Sequence, residues 1–207
     1  SDRGFASAVS GPSSALILDN TSPDGACRVE GGTVDFGAAE GFVLATASVS
    51  GEAAVLASRL EGTGGVTFAT PWTLQNRNLS RRIDVTGSNA FTGGSWIEDV
   101  TVRVHGPDGL GTGTVTVDGD DEFGGRLVVS ADFAGGTLAN PLVLSGVGPQ
   151  GAGEDGTEGG ALTLLRNVKL TGGLTMASNA VVRLGAGVTA EVPSLRLTGS
   201  FVGDPEG

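Results

Sequence analysis

The chain has 207 residues, of which 37 are Gly and 8 are Pro, with 5% aromatic residues, no Tyr and a formal net charge of −11. Average usage of about 7% would give only about 15 glycines. Because 39% of the residues are hydrophobic and 17% are charged, the composition excludes a disordered polar chain. The glycines follow no three-residue period, which excludes collagen. The composition predicts a folded protein rich in tight turns.

The charge and hydropathy of the chain also argue against a nucleic-acid partner and against membrane insertion. Acidic residues outnumber basic ones, 23 against 12, and phosphate binding needs clustered cations, so we expect no nucleic-acid partner. No apolar run approaches the length of about 18 residues that a membrane helix needs, so we expect no membrane insertion by this segment. The first residues, SDRGFASAVS, lack the basic start and apolar middle of a signal peptide. We therefore interpret the chain as a fragment of a larger protein.

Short apolar runs with a period of two residues, separated by Gly-rich turns, predict an all-β chain. The segment 51–60, GEAAVLASRL, is the exception, because its composition fits either a strand or a short helix. In chain order the predicted strands are 15–18, 29–36, 42–49, 96–97, 100–104, 115–117, 127–129, 142–144, 162–164, 168–170, 174–176, 182–184, 188–192 and 195–197.

The last part of the chain repeats this pattern. The segments TLLRNVKLTGG, LTMASNAVVRLGAG and VTAEVPSLRLTGS follow one another, so short strands and tight turns return after roughly 20 to 25 residues. This repetition predicts a parallel β-helix, a solenoid in which stacked coils bury small aliphatic side chains and need few aromatic ones. We expect a single β-helical region over residues 1–207.

An antiparallel β-sandwich, working as a binding module, is the alternative fold. Asp-Gly pairs are typical of hairpin turns between antiparallel strands. The chain has four of them, at Asp24-Gly25, Asp108-Gly109, Asp118-Gly119 and Asp155-Gly156.

Residues 84–146 resemble a known family. They contain, in order, GSNAFTGG at 87–94, LGTGTVTV at 110–117, GGRL at 124–127 and ANPLVL at 139–144. This series is similar to the autotransporter-associated β-strand repeat of large bacterial surface and secreted proteins, although SWIEDV at 95–100 departs from the pattern. The resemblance implies a right-handed parallel β-helix in an exported passenger, at the bacterial cell surface or outside the cell. It also implies a translocator barrel elsewhere in the full chain, and no catalytic signature in the repeat itself.

The densest acidic cluster follows a predicted strand at 115–117. Asp118, Asp120 and Glu122 alternate there, and hard oxygen ligands at this spacing are able to hold Ca²⁺. A solvated acidic loop is the interpretation we favour, because the cluster lacks the layout of an EF-hand. A Ca²⁺ site is the alternative, and we expect no other cofactor.

Candidate catalytic residues are few. Asp99, Arg103 and Asp118 would have to meet on one face of the helix to act on a polysaccharide. His105, the only histidine, precedes a Gly-Pro turn and is interpreted as a surface turn residue. The single Cys27 excludes an intrachain disulfide and is interpreted as a small buried or incidental residue.

The two tryptophans, Trp72 and Trp96, are predicted to be buried, with an exposed sugar-stacking platform as the alternative. The segment 148–160, GPQGAGEDGTEGG, is predicted to be a flexible excursion loop and a place to look for a ligand.

The sequence therefore favours a noncatalytic structural or adhesive β-helical module. Its expected partners are a host surface, a polysaccharide or further copies of itself. The alternative is a polysaccharide-acting enzyme, a lyase or a glycosidase, on the same scaffold.

Overall fold

The structure is a computed structural model that describes residues 13–19, 27–46, 53–70, 81–119, 124–149 and 160–198. The strands in these residues are β1 (Ser13–Leu18), β2 (Arg28–Val29), β3 (Thr33–Asp35), β4 (Glu40–Ala45), β5 (Ala54–Leu56), β6 (Arg59–Glu61), β7 (Val66–Ala69), β8 (Arg82–Val85), β9 (Ser95–Glu98), β10 (Thr101–Val104), β11 (Val115–Gly119), β12 (Arg126–Val129), β13 (Thr137–Leu138), β14 (Leu142–Gly146), β15 (Leu162–Leu164), β16 (Val168–Leu170), β17 (Leu174–Met176), β18 (Val182–Leu184), β19 (Ala190–Glu191) and β20 (Leu195–Leu197). No helix occurs within these ranges, and hence none that could cross a bilayer.

The strands form four parallel sheets. An eight-stranded sheet has the order β1-β4-β7-β9-β11-β14-β17-β20, and a seven-stranded sheet has the order β18-β15-β12-β10-β8-β5-β2. The three-stranded sheet is β13-β16-β19, and the two-stranded sheet is β3-β6. Every strand pair in the described residues is parallel. The all-β prediction is confirmed, and the antiparallel β-sandwich is wrong, because its strands would pair antiparallel.

The chain visits the sheets in rotation. From β1 to β17 each strand of the eight-stranded sheet is followed by a strand of the seven-stranded sheet, and in several repeats then by a strand of a smaller sheet. Paired strands are therefore distant in sequence: Thr101 pairs with Arg82, 19 residues earlier. Leu127 pairs with Leu162, 35 residues later. The architecture is repeat-like, with repeats of unequal length.

Alternation along the strands separates a buried inner face from an outer face. In the eight-stranded sheet one inner row runs through Val43, Phe68, Ile97, Val117 and Leu144, all in register and all fully buried. Buried side chains from all four sheets belong to one hydrophobic cluster. Aliphatic residues make up most of this interior, and Phe68, Phe91 and Phe133 are fully buried within it.

Two asparagines hold the turns between strands. The buried Asn89 accepts a hydrogen bond from the Leu60 amide at its Oδ1 (2.8 Å) and donates one from Nδ2 to the Gly109 carbonyl oxygen (2.6 Å). The buried Asn140 donates from Nδ2 to the carbonyl oxygens of Gly111 and Gly113, at 3.0 and 2.9 Å. These side chains satisfy backbone groups that no strand pairing reaches. The Asn elements in the quoted motifs are thus parts of the scaffold.

Glycine is needed where the chain turns into β9. Gly94 has φ 98, a left-handed conformation that L residues rarely adopt. A Cβ at this position would lie 2.8 Å from the Thr114 carbonyl oxygen on the neighbouring repeat. The prediction that glycines mark the corners between strands is confirmed here.

The strand predictions are confirmed for most of the described residues. In the segment 51–60, where a strand or a short helix was predicted, the described part forms β5 and the beginning of β6. Three strands lie wholly outside the predicted segments: β7, β8 and β13. Residues 150–159 of the predicted excursion loop 148–160 lie outside the described residues.

The last strands in the described chain form exposed sheet edges. β18, β19 and β20 each end the order of their sheet. Leu195 pairs with the inward-facing Leu174, and Leu197 pairs with Met176, yet both leucines are 58% exposed. At the opposite edge the inner residues Leu16 and Leu18 of β1 are buried. One edge of the stack therefore leaves its apolar inner row uncovered.

Candidate functional site on the eight-stranded sheet

Strand β9 presents an indole and a carboxylate on the outer face of the eight-stranded sheet. Its residues alternate, so that Ser95 and Ile97 are fully buried while Trp96 and Glu98 face outward. Trp96 is 40% exposed, and the prediction that it is buried is wrong for this residue. The physical reason is register: the strand cannot bury Ile97 and Trp96 on the same side. Trp72 lies outside the described residues.

The indole of Trp96 lies low over the sheet. A Cβ on Gly65, in the turn before β7, would come within 2.6 Å of the indole Cζ3. The six-membered ring of the indole therefore occupies the space that a side chain at position 65 would fill. Thr67 and Thr116 flank Trp96 in register on the two neighbouring strands. The result is an aromatic platform between two hydroxyl-bearing side chains.

Carboxylates surround this platform. Glu98 pairs in register with Asp118 on β11, and Thr67 donates its hydroxyl to Glu40 Oε1 at 2.7 Å. Partial burial, together with the negative charges of Asp118, Asp99 and Glu40, raises the pKa of Glu98 above its ordinary value. We call this surface, formed by Glu40, Thr67, Trp96, Glu98, Thr116 and Asp118, the Trp96 face.

The predicted Ca²⁺ cluster is only partly described. Asp118 is exposed at the end of β11, and its Oδ1 lies 3.4 Å from the Ser145 hydroxyl, which can donate to it. Asp120 and Glu122 lie outside the described residues. In the described part of the chain no group of three or more His, Cys, Asp or Glu residues is arranged to hold a metal ion. The Ca²⁺ site stays a prediction.

The catalytic trio proposed from sequence is divided between two sheets. Asp99 has φ 53 and forms the corner that ends β9. Arg103 follows on β10 in the seven-stranded sheet, beside Asp84 of β8. Asp118, in contrast, lies beside Glu98 in the eight-stranded sheet. The carboxylate that neighbours Asp118 on its own sheet face is Glu98, which sequence reasoning missed.

A second polar group lies on the outer face of the seven-stranded sheet. Arg82 Nε lies 3.1 Å from Asp84 Oδ1, and both side chains are less than one-fifth exposed. His105 Nδ1 lies 2.8 Å from Asp132 Oδ1, and its Nε2 lies 4.0 Å from Asp84 Oδ2. His105 follows β10 directly, as the turn interpretation required, but it is only 21% exposed and takes part in this network.

Groups of opposite charge lie close together on the seven-stranded face, but Asp84 Oδ1 and His105 Nε2 are buried and make no hydrogen bond within the described residues. A hydrogen bond from the Ser130 hydroxyl lowers the pKa of Asp132, and the nearby His105 contributes to the same shift. Arg126 is buried and donates from Nε to the Gly160 carbonyl oxygen at 3.3 Å. This arrangement is that of a network that fixes neighbouring strands and turns.

Cys27, which precedes β2, is half-buried. Burial, followed by the negative charge of Asp19, raises the pKa of its thiol. A raised pKa keeps the thiol protonated, whereas a nucleophilic cysteine needs a lowered one. The interpretation of Cys27 as an incidental residue agrees with this environment.

Comparisons of the chain with protein-family models, with curated proteins and with solved structures found no match.

Proposed function

We propose that the sheets close into a right-handed parallel β-helix, and that this helix is a noncatalytic structural or adhesive module of an exported bacterial protein. The observation that carries the proposal is the rotation of the chain among parallel sheets that share one hydrophobic cluster. Each repeat then contacts mainly its neighbours, and the stack offers long, flat outer faces. Such faces suit extended or polymeric partners.

Export to the cell surface or the medium rests on the resemblance of residues 84–146 to autotransporter passenger repeats. A translocator barrel elsewhere in the full chain belongs to the same proposal. The chain has 23 acidic and 12 basic residues, and the resulting net negative charge favours solubility. A host surface, a polysaccharide or a second copy of the chain is the proposed partner. Leu195 and Leu197 are exposed on the edge strand β20. This exposed edge supports the proposal that a further β-coil packs against β20.

A polysaccharide lyase or glycosidase is the second candidate, and one observation favours it. Glu98 and Asp118 are adjacent carboxylates on an outer face, and the pKa of Glu98 is raised. A carboxyl group with a raised pKa beside a second carboxyl group is the pairing that glycoside hydrolysis uses for its acid and base. The noncatalytic function is the first choice because Asp99, Arg103 and His105 do not join this pair on one sheet.

Turnover measurements separate the two candidates. The chain and its Glu98→Gln variant are incubated with neutral, amino-sugar and uronic-acid polysaccharides, and new reducing ends and unsaturated products are measured. We expect no turnover above the buffer blank for either protein. Turnover by the parent chain that Glu98→Gln abolishes would overturn the noncatalytic proposal and establish the enzyme.

Protease accessibility on intact cells tests the proposed export to the cell surface. Protease added to intact cells of the source bacterium should remove the full-length protein while a cytoplasmic marker persists. If the protein resists in intact cells and is digested only after lysis, the proposed export is wrong.

A further inference from the structure

The Trp96 face has the features of a binding subsite. Trp96 is 40% exposed in the middle of the eight-stranded sheet. On this outer face its large apolar side chain does not contribute to the hydrophobic core. The indole is seated over Gly65, which leaves room for it. Its orientation is thereby fixed before any ligand arrives, which lowers the entropic cost of binding.

Charge defines which ligand this platform fits. Glu98 faces outward two residues after Trp96, with Asp118 beside it, and Glu40 lies on the other side of Thr67. Three carboxylates around one indole produce a negative potential that repels anionic polymers. An ammonium group, in contrast, is attracted both to the face of an indole and to carboxylates.

We propose that the Trp96 face binds a glycan that carries free amino groups, with a pyranose ring stacked on the indole of Trp96 and an ammonium group at Glu98. This inference rests on the proposed adhesive function and names its ligand class. The hydroxyls of Thr67 and Thr116 flank the ring, one on each neighbouring strand, at the strand spacing of about 4.8 Å. The half-buried Thr116 is placed to exchange a hydrogen bond with a sugar hydroxyl, whereas Thr67 is 6% exposed and donates its hydroxyl to Glu40 Oε1, which it holds beside the indole.

A cationic peptide is the competing ligand. A glycan is favoured because the described surface combines a flat exposed aromatic ring with the half-buried Thr116 hydroxyl and the Glu98 carboxylate beside it, which matches a sugar ring with its apolar face and polar rim. A Lys-rich peptide would use the carboxylates but would gain little from the flat face of the indole and the Thr116 hydroxyl.

Calorimetric titration with a glucosamine tetrasaccharide tests the proposal. Its fully N-acetylated counterpart and a galacturonic acid tetrasaccharide are the matched neutral and anionic ligands. We expect binding of the amino-sugar ligand, at least about tenfold weaker binding of the neutral one and none of the anionic one. The affinity for the amino sugar should fall as salt increases, because salt screens the carboxylates.

Five variants, one of them a control, assign the binding to the Trp96 face. Trp96→Ala should weaken binding about tenfold or more, and Glu98→Gln about threefold to tenfold. Gly65→Ala keeps the indole but displaces it, and should also weaken binding. Glu191→Gln removes an exposed carboxylate on β19 that pairs with Lys169, and should leave the affinity unchanged. Thermal unfolding confirms that each variant is folded, and Trp96→Phe retains a ring should Trp96→Ala fail to fold.

Three results would overturn the proposal. They are no binding of the amino sugar, binding that Trp96→Ala and Trp96→Phe leave unchanged, and equal binding of a Lys-rich peptide that depends on the same residues. Cleavage of a bound amino sugar would overturn the noncatalytic function but leave the subsite established. Absence of both binding and cleavage would remove the subsite and leave the structural function in place.

Discussion

The outer face of the eight-stranded sheet carries Trp96 and Glu98 at its centre, and that of the seven-stranded sheet carries Asp84 and Arg103. Both faces belong to sheets of parallel strands, and the two sheets share one hydrophobic cluster. On the seven-stranded face the acidic side chains lie against basic ones: Arg82 Nε lies 3.1 Å from Asp84 Oδ1, and His105 Nδ1 lies 2.8 Å from Asp132 Oδ1. On the eight-stranded face carboxylates of like sign surround an exposed indole, and partial burial, followed by repulsion from these carboxylates, raises the pKa of Glu98.

The difference separates a structural network from a binding surface. Opposite charges in contact stabilise the folded chain and leave little attraction for a ligand. Like charges in register destabilise the folded chain, and an opposite charge from outside relieves that cost. The eight-stranded face is therefore the one on which a cationic ligand gains most. Mutations on the two faces should accordingly have opposite effects on stability.

The largest loss in the free energy of unfolding is expected when the buried side chain of Asn89, which holds the turns between the strands, is removed. Asn89→Ala deletes two buried hydrogen bonds and leaves the Leu60 amide and the Gly109 carbonyl without that partner. We expect the free energy of unfolding, measured by urea denaturation, to fall by about 2–4 kcal/mol. The control is Asn167→Ala, whose exposed side chain accepts one hydrogen bond from the Thr189 amide, with an expected loss below about 1 kcal/mol. Equal losses for the two variants would contradict the structural role of Asn89.

A smaller change in the free energy of unfolding compares the two faces directly, with one carboxylate removed from each. Asp84→Asn removes the carboxylate that lies against Arg82 and beside Arg103, where the side chains of Asp84 and Arg82 are 18% and 17% exposed. We expect the free energy of unfolding to fall by about 1–2 kcal/mol, less than for a fully buried pair because water screens part of the attraction. Glu98→Gln on the other face should be neutral or stabilising. A loss of stability in Glu98→Gln that equals the loss in Asp84→Asn would abolish the contrast.

Much of the fold follows from the sequence because apolar alternation is strong in strands such as β10 and β11, where Val102 and Val104 or Val115 and Val117 are buried. Strand β8, with the sequence RIDV, was missed because Arg82 and Asp84 occupy its outer positions and only Ile83 and Val85 are apolar. The alternation is present there, but two charged residues in four obscure it.

The sites were harder to predict than the strands. The pairing of Glu98 with Asp118 depends on which strands become neighbours, and unequal repeat lengths leave that register undetermined by any local pattern. One local signal was available for Trp96. In the sequence SWIEDV the charged Glu98 has to face water, and a strand places Trp96 on the same side two residues earlier.

The smallest expected effect is a difference in pH dependence between the faces. The pKa of Glu98 is raised in the folded chain, so the folded state binds more protons than the unfolded state between the ordinary and the raised pKa. As the pH rises through that window Glu98 becomes charged, and the free energy of unfolding falls. It stays lower at every pH above the window. Glu98→Gln should raise the melting temperature at neutral pH, and this gain should vanish below about pH 4, where Glu is protonated in both states.

Asp132 should behave in the opposite way. Its pKa is lowered in the folded chain by the Ser130 hydroxyl and by His105, so its contribution to stability is present above the ordinary Asp pKa and is lost as the pH falls toward the lowered value. Asp132→Asn should reduce the melting temperature slightly at neutral pH, since the side chain is 70% exposed, and the reduction should fade in acid. Melting curves of both variants from about pH 3 to pH 8 span the two windows. Shifts of the same sign in both variants would show that the two faces do not differ in their electrostatics, whereas opposite signs place a destabilising charge at Glu98 and a stabilised one at Asp132.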